Sequence, residues 1–332
     1  MKTRKIDLYT TSLLIVSILA SALRSFALLT SFDYTTMYFT DKIAISISYI
    51  LVAISVIGFL SYLIFGEKDR GLIARSDNAA SFIPAGLVST ALMFMGVQNL
   101  TLLEDVYFGR ELKMLAIVSS ALAFLSVISF FLSIFIENKD STFKALFSLS
   151  IVFFLAIYAM LLYFNKQVHP TNSPNRFIDE MAYLSASLFF LYEARIPLGR
   201  EKWRGYVAFG LCATLLCSYS AIPSLVLYFV NDHTVSESLI ESILTLTIAI
   251  FILSRVLQIK TLTVDNECEE AKSIARLAAM RDDEIREMHE NPSSNIINKE
   301  EIDSDDVANY TFDLPETDAE DTEESEENTP TE

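Results

Sequence analysis

The chain has 332 residues, 52% of them hydrophobic, with a mean hydropathy of +0.38 and a formal net charge of -17. It is more apolar than an ordinary soluble domain, which excludes one soluble globule as an account of the whole chain. Of its 42 acidic and 25 basic residues, 24 and 5 respectively lie from Thr261 onward. An acidic tail therefore follows a nearly neutral, apolar body.

Eight stretches are each long and apolar enough to cross a membrane as a helix, which takes about 20 residues. In chain order they lie near 8–30, 43–65, 80–103, 114–136, 144–165, 178–198, 204–230 and 237–258. Backbone amides in lipid must bond within their own segment, so each stretch is predicted to be an α-helix. The predicted fold is an all-α, polytopic integral membrane bundle of about eight helices in residues 1–260.

Lysine and arginine in the connecting segments predict how the bundle is oriented. If the N-terminus is cytosolic, the cytosolic segments and helix ends carry 14 of these residues and the external ones carry 5. Positive residues concentrate on the cytosolic side of membrane proteins. Both termini are therefore predicted to be cytosolic, with the cell membrane as the location. The aromatic loop from Ser31 to Lys42 is predicted to lie at the membrane interface.

Polar side chains are predicted near the external ends of several spans. The candidates are Arg24 in the first span, Gln98 and Asn99 in the third, Glu180 beside Asp179 in the sixth, and Glu241 in the eighth. Charges at membrane depth are costly and usually pair with one another. Arg24 is therefore predicted to face the bundle interior and to pair with Glu241, or else with Glu180. A structural pair is favoured over a solute site, and both interpretations stay open.

Thr234 and Glu237 have the spacing of a capping box at the start of the eighth span. In that role Glu237 has a local function. Glu241 lies one turn deeper and has no such local function, so it is the better candidate for an interhelical contact.

At the cytosolic end of the sixth span, the stretch YEARIPLGR contains Glu193 and Arg195. Two residues apart on a helix, these side chains point to different sides and do not pair with each other. Arg195 is interpreted as an anchor that reaches the headgroups, with Trp203 at the same interface. Glu193 is predicted to pair with an arginine or lysine of a neighbouring helix; a functional carboxylate is the alternative.

Small side chains form a stripe along the seventh span. It consists of Gly210, Thr214 and Ser218 at intervals of four, with Ala213 and Cys217 beside them. Small residues allow helices in lipid to approach closely, so this span is predicted to be central and closely packed. A polar path for a solute along this face is the alternative.

The tail is predicted to have two parts. Residues 261–290 have a helical composition with a weak seven-residue apolar repeat, which predicts a cytosolic helical extension, either a coiled coil or a solvated helix. Residues 291–332 have too little apolar content to form a core and are predicted to be disordered. This acidic segment either keeps the protein soluble or docks a basic cytosolic partner.

Signatures of several enzyme and binding classes do not occur in the sequence. There is no GxxxxGK[ST], GxGxxG, HExxH or GxSxG motif, and the three histidines are far apart. No catalytic residue, cofactor or metal site is therefore predicted. The tail has the wrong charge for a nucleic-acid-binding module.

These observations favour a non-enzymatic membrane component: a sensor, a scaffold or an accessory subunit whose tail meets a cytosolic protein. The rival interpretation is a permease or channel for a small, cationic solute, and a membrane-embedded enzyme is the third. With only 9 glycines and 8 prolines, the chain has few sites for the broken helices of many transporters. The expected partners are the lipid bilayer and a cytosolic protein, and a homo-oligomer is left open.

Overall fold

The computed structural model describes residues 5–33, 38–66, 79–101, 103, 109–135, 141–164, 174–195, 202–231 and 238–261. The predicted capping box of Thr234 and Glu237 lies outside the described residues. So do the helical extension, beyond its first residue, and the acidic segment 291–332.

Helices account for nearly all of the described residues. They are α1 (Lys5–Ser31), α2 (Ile43–Leu60), α3 (Tyr62–Phe65), α4 (Ala79–Thr101), α5 (Arg110–Phe135), α6 (Ser141–Phe164), α7 (Pro174–Arg195), α8 (Trp203–Asn231) and α9 (Leu239–Thr261). Each predicted span coincides with a helix to within a few residues, and α3 continues the second span beyond Ser61. The prediction of an all-α fold is confirmed.

Seven helices in the described part of the chain are long and apolar enough to cross a membrane. They are α1, α2 with its continuation α3, α4, α5, α6, α8 and α9. These helices indicate an integral membrane protein. The remaining long helix, α7, has 22 residues, but its charged residues set it apart from this group. By length and composition, the described helices therefore include seven candidate spans, one fewer than the eight that the sequence predicts.

Two short strands interrupt the helical pattern between α1 and α2. β1 (Phe32–Asp33) and β2 (Tyr38–Phe39) pair antiparallel, with Phe32 opposite Phe39. The two rings meet edge to face at 5.1 Å between centroids, and both pack in a small apolar cluster with Leu227 of α8. Phe32 and Phe39 therefore cover part of one end of the bundle.

The centre of the described bundle is α8. It contacts α1, α2, α3, α7 and α9, and 72% of its most apolar stretch is buried, against 22% for the span that α2 and α3 form. Successive helices from α4 to α9 also pack against each other, and α4 closes the arrangement by contacting α9. The position of α8 agrees with the close packing that its small residues predict.

Candidate functional site

Buried charged side chains collect at two levels of the bundle. At one level α1 and α8 finish while α7 and α9 begin, and we call this the Arg24 end. At the other level α7 and α9 finish while α8 begins, and we call this the Arg255 end. Because α7, α8 and α9 run alternately up and down, residues far apart in sequence meet at each end.

At the Arg24 end, Arg24 is fully buried at 0% exposure. Its Nη1 donates to the backbone carbonyl oxygen of Tyr219 at 2.5 Å, and its Nη2 donates to Asn175 Oδ1 at 3.1 Å. The guanidinium carbon also lies 4.8 Å from the centroid of the Tyr219 ring, in cation–π geometry. The prediction that Arg24 faces the bundle interior is confirmed.

The predicted partners of Arg24 are wrong. Glu241 and Glu180 were the expected partners, but the two hydrogen bonds of Arg24 go to Asn175 and Tyr219. Glu180 instead pairs with Arg176 one turn before it, at 3.0 Å, an arrangement that a single helix provides by itself.

The buried carboxylate nearest in charge to Arg24 is Asp179, one turn after Asn175 on α7, although no ion pair within 4 Å joins the two side chains. Asp179 is 5% exposed and accepts a hydrogen bond from the Ser220 hydroxyl. Asn175 and Asp179 are four residues apart, so they share the face of α7 that meets Arg24. Glu180 is rotated from Asp179 by about 100° around the helix, so Glu180 points away from the face of α7 that meets Arg24.

Glu241 belongs to an adjoining cluster on α7 and α9. It is 2% exposed, and its Oε1 accepts a hydrogen bond from the Tyr183 hydroxyl at 3.3 Å. The same hydroxyl shares a 2.8 Å hydrogen bond with Thr245 Oγ1. Asp179 and Glu241 both act electrostatically on Tyr183. Tyr183 therefore lies between the two clusters, a role that an uncharged tyrosine among apolar neighbours does not signal in the sequence.

Gln98 and Asn99 bond to different helices. Gln98 Oε1 accepts from the Ser238 hydroxyl at 3.0 Å, whereas Asn99 Nδ2 donates to Ser119 Oγ of α5 at 3.1 Å. Ser238 Oγ also accepts from the backbone N–H of Glu241 at 3.1 Å, so Ser238 caps the start of α9. The five predicted polar residues thus form several adjoining contacts and not one common pocket.

At the Arg255 end, Glu193 of α7 pairs with Arg255 of α9. The Nη2 and Nε atoms of Arg255 donate to Glu193 Oε1 at 2.5 and 3.0 Å. The Arg255 side chain is 7% exposed and the Glu193 side chain is 13% exposed. Tyr206 of α8 is buried beside both residues and interacts with each of them. Glu193 therefore has a partner of the predicted kind. Arg195 takes a separate position, with its guanidinium carbon 5.5 Å from the centroid of the Tyr192 ring.

Apolar side chains make up most of the described interior between the two charged levels, together with buried hydroxyls such as those of Thr214 and Thr247. Phe130, Phe190 and Phe251 contact one another with centroid distances of 6.1, 5.3 and 5.7 Å. Ile248 and Ile252 of α9 are fully buried beside them in the same core. These rings and aliphatic groups separate the Arg24 end from the Arg255 end.

The small residues of α8 are buried at every predicted position: Gly210, Ala213, Thr214, Cys217 and Ser218. Gly210 lies where α8 meets α7 and α9. A Cβ atom there would come within 2.6 Å of Val256 Cγ2 and 3.2 Å of Phe189 Cδ2. The absence of a side chain at Gly210 therefore sets how closely these three helices approach.

We expect Gly210→Leu to lower the stability of the protein by about 1–3 kcal/mol, because overfilling a packed interface displaces its neighbours. Thermal unfolding of the detergent-solubilised protein measures this change. Gly58→Leu is the matched control, since a Cβ atom at Gly58 meets nothing within 4 Å. Equal unfolding temperatures for the two variants would contradict the packing described for α8.

In the described part of the chain, no group of three or more His, Cys, Asp or Glu side chains is placed to hold a metal ion. Comparison with protein-family models, with curated proteins and with solved structures finds no match to this chain.

Proposed function

We propose that the protein is a non-enzymatic membrane component, a sensor, scaffold or accessory subunit, whose acidic tail docks a basic partner in the cytosol. In this proposal the chain crosses the cell membrane eight times. The main support is that the buried arginines bond between helices: Arg24 of α1 donates to Asn175 of α7, and Arg255 of α9 pairs with Glu193 of α7. These contacts support a role for the described charges in holding helices together.

The eighth crossing in this proposal is α7. This helix packs between α6 and α8, and two of its acids have partners on other helices, Asp179 with Ser220 and Glu193 with Arg255, while Arg176 and Glu180 pair within α7. Charges that pair within a bundle are tolerated at membrane depth, where unpaired ones are costly. With α7 included, an even number of crossings returns the tail to the side of the N-terminus.

The orientation leads to a direct prediction for reporter fusions. Fusions after Lys5, Arg70, Lys202 and Thr261 are expected to report the cytosol, and those after Asp41, Arg110, Arg176 and His233 the outside. The physical reason is the bias of 14 lysines and arginines against 5 between the two sides. A cytosolic signal after Arg176 would contradict the assignment of the last four spans.

The docking role of the tail is tested by cross-linking in native membranes followed by purification of the protein. Truncation after Pro292 is expected to remove a basic cytosolic partner while leaving the unfolding temperature unchanged, because the removed segment has too little apolar content to form a core. A full-length variant with the acids of 293–332 changed to Asn and Gln is the matched control and is expected to lose the same partner. Capture that persists in both variants would contradict electrostatic docking.

A permease or channel for a small cation is the second candidate function. The observation in its favour is that two carboxylates, Asp179 and Glu241, are almost fully buried on either side of Tyr183. Intramembrane carboxylates often mark ion pathways. Cation flux into proteoliposomes above that of empty liposomes, lost in Glu241→Gln, would favour this function over the first.

A further inference from the structure

Unsatisfied hydrogen-bond donors gather around Arg24. Arg24 Nε and Asn175 Nδ2 have no hydrogen-bond partner in the described part of the chain, although the two residues are only 0% and 1% exposed. The Tyr49 hydroxyl of α2 is buried in the same way, and its ring lies 6.5 Å from the Tyr219 ring that Arg24 covers. Buried polar atoms are nearly always satisfied, so three in one neighbourhood call for an acceptor that the chain does not supply.

Three acceptors in the same cluster are already engaged. Asn175 Oδ1 and the Tyr219 carbonyl oxygen accept from Arg24, and Oδ1, one of the two carboxylate oxygens of Asp179, accepts from Ser220. Arg24 Nε and Asn175 Nδ2 can only donate, and the Tyr49 hydroxyl can donate as well. The missing group is therefore an acceptor, which excludes a metal cation at these atoms.

The cluster also lies at the positive end of a long helix. Asn175 is the second residue of α7, whose first-turn N–H groups have no partners within the helix, and whose dipole favours negative charge there. Arg24 reaches this helix end through its hydrogen bond to Asn175. Two independent features, the helix start and the buried unsatisfied donors, thus point to the same kind of ligand.

We propose that Arg24, Asn175 and Tyr49 form a binding site for a small monovalent anion of the chloride class at the start of α7. A single small ion accepts several hydrogen bonds at once and matches a cluster with one arginine. Asp179 lies in the same cluster and its negative charge opposes the anion, so the carboxylate sets the affinity. This site goes beyond the proposed function and does not depend on the tail.

The test uses the full chain purified in detergent, with chloride replacing gluconate at constant ionic strength and pH. Thermal unfolding is followed as chloride rises. The wild-type protein is expected to be stabilised saturably by chloride, because an ion that binds only the folded state raises its stability. No stabilisation by chloride relative to gluconate would overturn the proposal.

Two variants separate this site from general salt effects. Asn175→Asp keeps an acceptor for Arg24 but replaces the free amide donor with a carboxylate oxygen, so the chloride response is expected to be lost. Asp179→Asn removes the opposing charge and is expected to lower the half-saturating chloride concentration by about tenfold. Arg195→Gln, at the other end of α7, is the control and is expected to respond like the wild type. A normal response in Asn175→Asp, or an unchanged half-saturation in Asp179→Asn, would overturn the proposal.

Discussion

Separating Glu193 from Arg255 is expected to destabilise the protein by about 3–5 kcal/mol, since removing one member of a buried ion pair leaves the other charge buried. Both side chains are largely buried, at 13% and 7% exposure, and Arg255 donates twice to one carboxylate oxygen. Glu193→Leu and Arg255→Leu are the two single variants. Unfolding in mixed detergent micelles, followed by circular dichroism, measures the loss.

The double variant distinguishes pairing from a general intolerance of change at these positions. Glu193→Leu with Arg255→Leu leaves neither charge buried, so it is expected to be more stable than either single variant. Arg195→Leu is the matched control because it removes an arginine from the same end of α7 that stacks on Tyr192 and takes no part in the pair. Additive losses in the double variant would show that the two residues stabilise the bundle independently.

Replacing Arg24 is expected to have a comparable effect at the other end of the bundle. Arg24→Gln removes the positive charge that acts on Asp179 and a donor to the Tyr219 carbonyl oxygen. Loss of the partner of a buried charge typically costs about 3–5 kcal/mol. The free energy of unfolding in mixed micelles, measured at a fixed chloride concentration, reports the change.

Rescue identifies the partner of Arg24. Adding Asp179→Asn to Arg24→Gln removes the stranded carboxylate and is expected to recover a large part of the lost stability. Adding Glu241→Gln instead is the matched control, because Glu241 accepts from Tyr183 and lies on a different helix. If Glu241→Gln rescues and Asp179→Asn does not, the assignment of Asp179 as the carboxylate nearest in charge to Arg24 is wrong.

The positions of the helices could be predicted closely from the sequence. An apolar run of about 20 residues has few ways to satisfy its backbone in lipid other than a helix, so the first span, predicted near 8–30, appears as Lys5–Ser31. The β1–β2 pair was missed because two-residue strands carry no periodic signal. The sequence predicts the aromatic residues of this loop at the membrane interface but does not predict that Phe32 and Phe39 pack on the end of the bundle.

The contacts of the charged residues could be predicted only in part. The position of a residue along its predicted span shows how deep it lies in the membrane. It predicted that Arg24 is buried and that Glu193 pairs with another helix, since each lies within an apolar run with no local partner. Depth does not reveal which helices are neighbours. Arg24 faces α7 and α8, whereas Glu241 contacts Tyr183, so two residues at similar depth did not meet.

The choice between Asp179 and Glu180 needed the rotation of α7 as well as its depth. Adjacent residues on a helix differ by about 100° in direction, and only the packing of α7 against α8 decides which one turns inward. Asn175 was missed for a related reason: a single asparagine near a helix start reads as a capping or interface residue. Its contact with Arg24 depends on tertiary structure.

The crossing of the membrane by α7 can be tested most directly by labelling both of its ends. In a variant with Cys212, Cys217 and Cys268 replaced by Ala, a single cysteine is placed at Asn172 or at Lys202. On intact cells, a membrane-impermeant maleimide is expected to label the cysteine at position 172. The cysteine at position 202 is expected to react only after permeabilisation. Labelling of both positions from the same side would show that α7 does not cross, and would contradict the proposed eight-span topology with a cytosolic acidic tail.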